Sequence, residues 1–493
     1  MRHRKLLARR YRIIGGYTGL VFLISGGVIL STLAALPFYP SESSLAPGVL
    51  LPGGALALGG LATWRIARPD PHSGLTLAEG CAIIVLSWLG AVAAGTATFM
   101  AAGGLSFTHA VFEATSGWTT TGLSVVDVTS ASRTILLLRS VLEFAGGAGL
   151  AIIMLSALAG PAGTGLSTAE GRGEQLVPHV RRSTRLVLAL YAGYAVSGVL
   201  GLRLAGMGWF DAVNHSLAAV STGGFSTQPE SIGYWDSPRV EAVTILLMIL
   251  GTMNFLTAYA LIRGRLRMWL RNVETRVLGL LLAAACLALF AGVTLARFPS
   301  VEKAVRVAVF EAVTALSTTG YSTVGYGDWA DSGWLVLIAL MIVGGGTGST
   351  AGGLKEYRVG VLAHGIRRRV RAGLAPPAAI VEEEVWVGDR RRYLEDRDYI
   401  EAAAYSSLYL GALGLGTAAL IAYGYPLRES LFEYASALGT VGLSAGITGP
   451  GAPTGVLWAE IAGMFLGRLE FFAIVIGALK LLGDGRAWLG RRR

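Results

Sequence analysis

The feature that most constrains the fold is a short motif that occurs four times along the chain. Each copy reads small residue, Thr, any residue, Gly, apolar or aromatic residue, Ser. The copies occupy 119–124, 221–226, 317–322 and 439–444. Their glycines lie roughly 100 residues apart, which is too long a period for a solenoid. The motif therefore predicts four pseudo-equivalent units around one axis.

Matching residues also flank the motif. A Phe-Glu pair precedes three of the glycines, and Glu113, Glu311 and Glu433 each lie nine positions upstream of their glycine. The second copy has Asn214 and His215 at these places. Downstream, another glycine follows after 25 positions in three copies and after 27 in the second. Each unit is therefore much longer than the motif.

Composition places these units in a membrane. The 493 residues are 53% hydrophobic and only 15% charged, which is typical of a membrane protein. A helix needs about 20 apolar residues to cross the hydrocarbon core. Such stretches occur near 13–37, 48–64, 80–102, 134–159, 185–206, 240–262, 276–297, 334–357, 400–423 and 456–482.

A short amphipathic segment and the motif lie between two of these stretches in each unit. The segment 107–118 is too short to span a membrane, so it must enter and turn back. Non-helical backbone at membrane depth survives only inside protein or along a water-filled cavity. The sequence therefore predicts an all-α membrane protein. Its four pseudo-repeats each contain a transmembrane helix, a re-entrant pore helix and a second transmembrane helix around one central pore, and two N-terminal transmembrane helices precede them.

The charged segments give the boundaries and the orientation. The predicted parts are an accessory helix pair at 1–75, pore repeats at 78–165, 184–263, 275–357 and 398–482, a cytoplasmic linker at 358–396 and a basic tail at 483–493. Cytoplasmic loops are enriched in Lys and Arg, so both termini are predicted to be cytoplasmic. The net charge of +10 is then explained by the basic cytoplasmic segments and does not indicate nucleic-acid binding. The linker is either a solvated connector or a docking surface for a cytosolic partner.

The motif has the chemistry of an ion filter. Backbone carbonyl groups can replace the water around a cation without a formal charge that would trap it. Glycine lets the backbone aim successive carbonyls at one axis, and a neutral ring without carboxylates favours K⁺. The predicted filter residues are Thr120, Thr121, Gly122, Leu123, Thr222, Gly223, Gly224, Phe225, Thr318, Thr319, Gly320, Tyr321, Thr440, Val441, Gly442 and Leu443.

A second candidate filter overlaps the third unit. Residues 323–328 read Thr-Val-Gly-Tyr-Gly-Asp, which resembles the filter of tetrameric K⁺ channels. A register at Gly325 breaks the spacing that Gly320 shares with the other copies, and only one unit contains this signature. We therefore predict that 323–328 form the outer loop after the filter.

Ionisable residues inside apolar segments need a reason, because each costs about 2.5–3.5 kcal/mol at the centre of a membrane helix. Glu113, Glu311 and Glu433 are predicted to lie early in the short helices, where the helix dipole favours them. There they brace the motif by accepting backbone hydrogen bonds; direct ion contact is the alternative. His215 either takes this place in the second unit or is simply a packed polar residue.

A glycine-rich segment interrupts the last apolar stretch of the third unit. Glycine costs about 1 kcal/mol per residue in a helix, so 344–353 are predicted to form an intramembrane loop that gates ion flow. A phosphate-binding loop is disfavoured because no strand precedes it. Arg468 lies mid-span in the fourth unit with Glu470, and it either repels cations below the filter or pairs with a short-helix glutamate. The predicted gating residues are Gly344, Gly345, Gly346, Thr347, Gly348, Ser349, Thr350, Ala351, Gly352, Gly353, Lys355 and Arg468.

Together these motifs resemble the Trk/Ktr/HKT superfamily of potassium transporters over about residues 78–482, and the paired N-terminal helices are similar to the Trk branch. The resemblance rests on the motif and Phe-Glu pair of the third unit, His215 with the second motif, the segment from Gly344 to Lys355, and 464–470, which read Met-Phe-Leu-Gly-Arg-Leu-Glu.

The resemblance implies one K⁺ path per chain and a homodimer, surrounded by lipid, in a bacterial plasma (inner) membrane. It implies that 344–353 are the gating loop and that Arg468 is the family's pore arginine. A cytosolic RCK-type subunit that binds nucleotides would regulate the chain, which itself carries no nucleotide fingerprint. Serine at the first filter glycine accompanies Na⁺ permeation in the family, so glycine at all four positions implies K⁺ selectivity.

The predicted function is K⁺ uptake through a gated pore. No catalytic cluster suggests an enzyme, and no cofactor is expected besides the transported K⁺. The alternative is a Na⁺- or H⁺-coupled K⁺ symporter, which would more often have an acidic residue in a paired broken helix at mid-membrane.

Overall fold

The computed structural model describes residues 2–68, 75–149, 180–376, 381–388 and 390–489. These residues are almost entirely helical, which confirms the predicted all-α membrane fold. Among them, six helices are long and apolar enough to cross a membrane, or seven if one bent pair counts as a single span. The predicted end of repeat 1 and parts of the basic segments lie outside the described residues.

The accessory pair consists of Arg2–Ser31 and Ala46–Ala67, joined by short turns at Thr32–Ala35 and Pro40–Leu45. A Cβ on Gly26 would stand 2.5 Å from the backbone of Gly53 and Ala57. Small residues therefore let the two helices pack closely, as is common in membranes. The Glu42 carboxylate accepts hydrogen bonds from the backbone N–H groups of Arg133 and Thr134, both at 2.8 Å. It thereby attaches the pair to repeat 1.

Each repeat contains an outer helix, a short helix and an inner helix. The outer helices are Leu77–Ala101, Val180–Ala205, Val273–Leu289 and Asp396–Ala422, and the third continues through a π-helical turn, Phe290–Thr294, into Leu295–Arg297. The short helices are Phe107–Thr119, Trp209–Val220, Val301–Leu316 and Leu427–Gly439. The phenylalanines of the Phe-Glu pairs, Phe112, Phe310 and Phe432, are fully buried. The short helices are therefore embedded in the core, as a re-entrant arrangement requires.

In the part of the chain that the structure describes, three of the inner helices are broken. The inner segments are Arg133–Ala148 in repeat 1, Pro238–Thr252 with Phe255–Ile262 in repeat 2, Asp331–Val343 with Glu356–Leu374 in repeat 3, and Thr454–Leu469 with Phe471–Leu489 in repeat 4. The predicted break at 344–353 is present, and the apolar stretches 240–262 and 456–482 are each interrupted as well. Met253 is extended, and Glu470 has a left-handed φ of 57° where the last pair bends by 101°. Neither conformation continues a helix.

The predicted linker is folded. A short helix, Leu266–Arg271, precedes repeat 3, and after repeat 3 the strands Glu384–Val387 and Arg390–Tyr393 form an antiparallel hairpin. Glu383, beside the hairpin, contacts His364 at 3.0 Å and Arg371 at 2.9 Å. Burial acts to raise the pKa of Glu383, but the hydrogen bond from His364 and the charges of Arg367 and Arg371 outweigh it and lower that pKa. The hairpin is thus attached to the helix that continues from residues 344–353.

Candidate functional site

We call the segments 119–124, 221–226, 317–322 and 439–444 the Thr-Gly loops. All four have the same backbone conformation. Their central threonines have φ between 50° and 55°, and their glycines have φ between 82° and 98°. The four threonines are Thr120, Thr222, Thr318 and Thr440. A β-branched residue is strained in this left-handed region, so a conformation that recurs four times is imposed by the surrounding fold.

The four loops meet in a closed ring. A Cβ added to the glycine of any loop would collide with a backbone carbonyl oxygen of the next loop. The colliding pairs, glycine first, are Gly122 with Gly223, Gly224 with Thr319, Gly320 with Val441, and Gly442 with Thr121. The order runs from repeat 1 through repeat 4 and back to repeat 1. Only glycine permits this approach at positive φ.

The side chain after each of these glycines is buried in the protein. Leu123, Phe225, Tyr321 and Leu443 are at most 2% exposed. The Tyr321 hydroxyl donates to the backbone carbonyl of His215 at 3.0 Å. A cavity is lined by Gly122, Gly224, Gly320 and Gly442 together. The four loops therefore surround one space, and backbone atoms form much of its wall.

The hydroxyl groups of the central threonines divide into two pairs. Within the described residues, the buried hydroxyls of Thr120 and Thr440 have no hydrogen-bond partner. The hydroxyl of Thr222 donates to Thr350 at 3.1 Å, and that of Thr318 accepts from the N–H of Gly352 at 2.8 Å. Two threonines thus form hydrogen bonds with the glycine-rich loop, while the hydroxyl oxygens of the other two remain available to a ligand.

The glutamates of the short helices hold the segments that follow the Thr-Gly loops. Glu113 accepts from the Ser124 hydroxyl at 3.0 Å and the Val125 N–H at 3.1 Å. At the matching places, Glu433 accepts from Ser444 at 2.7 Å and from the N–H of Ala445 at 2.6 Å. In repeat 2, His215 Nε2 lies 2.9 Å from the hydroxyl of Ser226, the matching serine.

The expected position of these glutamates within their helices is wrong. Glu113 and Glu433 each lie in the middle of a 13-residue helix, and Glu311 lies in the last third of Val301–Leu316. Six helical residues precede Glu113 and Glu433, and ten precede Glu311, so the N-terminal dipole does not explain these carboxylates. The segments after the loops supply their hydrogen bonds instead.

Residues 323–328 follow the third Thr-Gly loop, and 324–326 line the same cavity as the four ring glycines. Glu311 accepts from the N–H of Thr323 at 2.9 Å and from the Tyr326 hydroxyl at 2.5 Å. Asp328 pairs with Arg297. A Cβ on Gly325 would meet no described atom within 4 Å, whereas one on Gly320 would collide with the next loop. The structure thus places the register at Gly320 in the ring.

The glycine-rich loop, 344–353, lies against the inner ends of the Thr-Gly loops. A Cβ on Gly352 would collide with the Gly439 carbonyl and the Thr440 hydroxyl. The loop is also attached to the break in the inner helix of repeat 2: the Gly346 N–H donates to the Thr252 carbonyl at 3.0 Å, and Asn254 Nδ2 donates to the Thr347 carbonyl at 2.6 Å. It therefore occupies the inner side of the ring.

Arg468 joins this loop to two repeats. Its guanidinium donates to the carbonyl of Thr350 at 2.5 Å and to that of Gly146 at 2.7 Å. Lys355 donates to the carbonyl of Ala351. Glu470 forms an ion pair with Arg358 at 2.9 Å. Arg468 thus contacts the glycine-rich loop, and Glu470 contacts the helix that follows this loop.

Sequence reasoning missed two charged residues beside the ring, Arg139 and Glu143. Arg139 Nε lies 2.6 Å from Glu113 Oε1, and Glu143 accepts from the N–H of Phe225 at 3.1 Å. The available signal was an ionisable pair, four residues apart, inside the apolar stretch 134–159. Such residues are rare in membrane segments without a partner or function.

The chain matches the family model of TrkH cation transport proteins over residues 55–489. It is 30% identical over 425 residues to the Trk system potassium uptake protein TrkH of Halomonas elongata, covering 83% of this chain and 87% of that protein. It is 28% identical over 485 residues to the Escherichia coli protein of the same name, covering 94% and 98%.

Two further similarities extend over nearly the whole chain. An uncharacterized cation transporter of Methanocaldococcus jannaschii is 27% identical over 470 residues, which cover 94% of each chain. The crystal structure of the potassium transporter TrkH from Vibrio parahaemolyticus has a TM-score of 0.83 and 25% identity, covering 94% of this chain and 98% of that one. The matched family transports cations and is not an enzyme class.

Proposed function

Because the chain belongs to the TrkH family of cation transport proteins, we propose that it takes up K⁺ across a cell membrane through a gated pore. Relatives that match most of the chain are named as potassium uptake proteins, and a similar solved structure is a potassium transporter. The chain has several helices that can span a membrane. These findings support the transported ion and the multi-pass location.

The single observation that carries the proposal is the closed ring of Thr-Gly loops. Four copies of one backbone conformation place equivalent carbonyl groups beside the glycine of the next loop. In our proposal these carbonyls replace the hydration shell of K⁺, and the partnerless hydroxyls of Thr120 and Thr440 add ligands at the inner end. The glutamates hold the segments after the loops and do not contact the ion, since their oxygens accept hydrogen bonds from those segments.

The glycine-rich loop and Arg468 form the proposed gate. The loop contacts Thr222, Thr318 and Thr440, so it obstructs the path below the ring. Arg468 holds it there through the carbonyl of Thr350 and adds positive charge beside the path, which opposes cation passage. Movement of the loop away from the ring would open the pore.

The remaining proposals concern the setting. The chain lies in a bacterial plasma membrane with both termini cytoplasmic, because its basic segments then face the cytoplasm. It forms a homodimer, and a cytosolic nucleotide-binding subunit regulates it. The hairpin Glu384–Tyr393 and the helix Glu356–Leu374, which continues directly from the gate, offer that subunit a folded surface.

Reconstituted protein in liposomes tests the proposal. We expect a K⁺ current whose reversal potential follows the K⁺ Nernst potential and does not shift with the Na⁺ or H⁺ gradient. A reversal potential that follows either of those gradients would favour the coupled symporter. Equal permeability to K⁺ and Na⁺ would contradict the filter assignment.

A further inference from the structure

Two charged side chains are buried one helical turn apart in the inner helix of repeat 1. Arg139 is 2% exposed, and Glu143 is fully buried. A buried charge is costly unless it is paired and hydrogen-bonded. Both side chains form hydrogen bonds that cross from repeat 1 to repeat 2, and Arg139 is also paired with Glu113.

Arg139 connects the first two Thr-Gly loops. In repeat 1 its Nε lies 2.6 Å from Glu113, and Nη2 donates to the Ser124 hydroxyl at 3.0 Å. In repeat 2 its Nη1 donates to the backbone carbonyl of Ser226 at 3.0 Å, and the guanidinium stacks on the Phe225 ring at 3.9 Å. A planar guanidinium can make these contacts together, whereas an ammonium group cannot.

Glu143 fits against the second loop from the same helix. Its carboxylate accepts from the N–H of Phe225 at 3.1 Å. A Cβ on Gly223 would collide with this carboxylate. At the matching position the other loops have Thr121, Thr319 and Val441. The departure of the second loop from the repeated pattern therefore has a physical cause in repeat 1.

Repeat 2 is also the repeat whose short helix lacks the glutamate. His215 contacts the Ser226 hydroxyl, the side chain of that loop residue. A backbone N–H and a backbone carbonyl of the second loop region are instead held by repeat 1, through Glu143 and Arg139. Repeat 1 thus supplies a carboxylate to the second loop, at an N–H two residues before the one that Glu113 and Glu433 hold in their own repeats.

We propose that Arg139 and Glu143 form a clip between repeats 1 and 2 that positions the carbonyl groups of the second Thr-Gly loop, and that K⁺/Na⁺ discrimination depends on it. Both are positioning residues, since they act on the ion through the loop backbone. The clip rests on the proposed function, because it needs the Thr-Gly loops to be the filter. The clip predicts that substitutions at the contact between repeats 1 and 2 change K⁺/Na⁺ selectivity even when the ring residues are intact.

The test compares Arg139→Lys with wild type in reconstituted liposomes under bi-ionic K⁺/Na⁺ conditions. Lysine keeps the positive charge but lacks the planar guanidinium and its several N–H donors. The clip therefore predicts a fall of roughly tenfold in the K⁺/Na⁺ permeability ratio, or about 1.4 kcal/mol of differential ion affinity. Arg133→Gln, a change to an exposed residue of the same helix, serves as the matched control and should keep the wild-type ratio.

The outcomes separate the clip from the proposed function. A wild-type protein without K⁺ preference would overturn the filter assignment itself. A selective wild type with an equally selective Arg139→Lys variant would overturn the clip alone, because charge without bidentate positioning would then suffice.

A double-mutant cycle keeps the clip testable if single variants fold poorly. Gly223→Ala collides with Glu143, and Glu143→Ala removes that collision, so the thermal destabilisation by Gly223→Ala should shrink at least severalfold in the Glu143→Ala background. An equal cost of Gly223→Ala in both backgrounds would show that the carboxylate does not set this position.

Discussion

The ring of Thr-Gly loops and its inner side differ in how far the four repeats resemble one another. On the ring itself, four loops repeat one backbone conformation and one glycine. On the inner side, each repeat differs: repeat 2 breaks at Met253–Asn254, repeat 3 contributes the glycine-rich loop, and repeat 4 contributes Arg468 and bends at Glu470.

The difference follows from what each side has to do. An ion on an axis needs ligands from every direction, so all four loops must present the same groups at the same depth. A path is closed by one obstruction, so in the proposed pore a single loop and a single arginine suffice below the ring. Substitutions should therefore change ion selectivity when they fall on the ring and ion flux when they fall on the inner side.

The largest effect is expected at a ring glycine. Gly320→Ser places a side chain against the Val441 carbonyl at a φ of 82°, so it should reduce the K⁺/Na⁺ permeability ratio on the order of 100-fold, or about 2.8 kcal/mol. Bi-ionic reversal potentials measure this ratio. Gly325→Ala, at an exposed site with open space, is the control, and an unchanged ratio in Gly320→Ser would argue against the ring as the filter.

The next largest effect is expected at the gate. Arg468→Ala removes the bonds to Thr350 and Gly146 together with a charge beside the path. K⁺ flux should rise roughly tenfold while the permeability ratio stays unchanged, since charge-assisted hydrogen bonds are worth about 1.5–3 kcal/mol each. Flux assays with Arg486→Ala, an exposed arginine of the last helix, as control would measure this. Equal or lower flux at normal expression would contradict a barrier role for Arg468.

A smaller effect is expected at the glutamates behind the ring. Glu433→Gln weakens the bonds from Ser444, Ala445 and Thr448, so stability should fall by about 1–3 kcal/mol. Thermal unfolding in detergent measures this against Glu429→Gln, whose partner is the surface residue Arg428. If the two variants unfold alike, Glu433 does not hold its loop.

The smallest effect is expected at Glu383, beside the hairpin. Glu383→Gln should cost less than about 1 kcal/mol, since two of its partners, Arg367 and Arg371, are more than half exposed, and should leave selectivity unchanged. Because the pKa of Glu383 is lowered in the folded protein, its stabilisation is present at neutral pH and is lost as pH falls through that pKa. The difference in melting temperature between wild type and Glu383→Gln should therefore disappear in acid; a constant difference would contradict this ion pairing.

Repetition explains how much of this site the sequence could predict. The register at Gly320, and not at Gly325, follows from spacing alone, because three copies share it. The glycine-rich break was predictable since glycine opposes helix formation. The spacing is visible when the copies are compared, and the glycines lie in one short segment. Neither feature depends on a contact between distant residues.

Contacts between repeats could not be predicted in the same way. The fit of Glu143 to Gly223 joins residues 80 positions apart in two repeats, and no copy of it occurs elsewhere to reveal it. The bend at Glu470 lies inside the apolar stretch 456–482, and its ion pair with Arg358 joins residues 112 positions apart. Hydrophobicity reports burial, but it does not report where a helix ends inside a membrane.

The most direct test of the central claim is to locate the ion. Anomalous diffraction from crystals grown with Rb⁺ or Tl⁺ in place of K⁺ would show where the cation binds. Our account predicts a peak on the axis between Gly122, Gly224, Gly320 and Gly442, within coordination distance of carbonyl oxygens from all four loops. Ions bound instead at the buried carboxylates, with none within the ring, would contradict it.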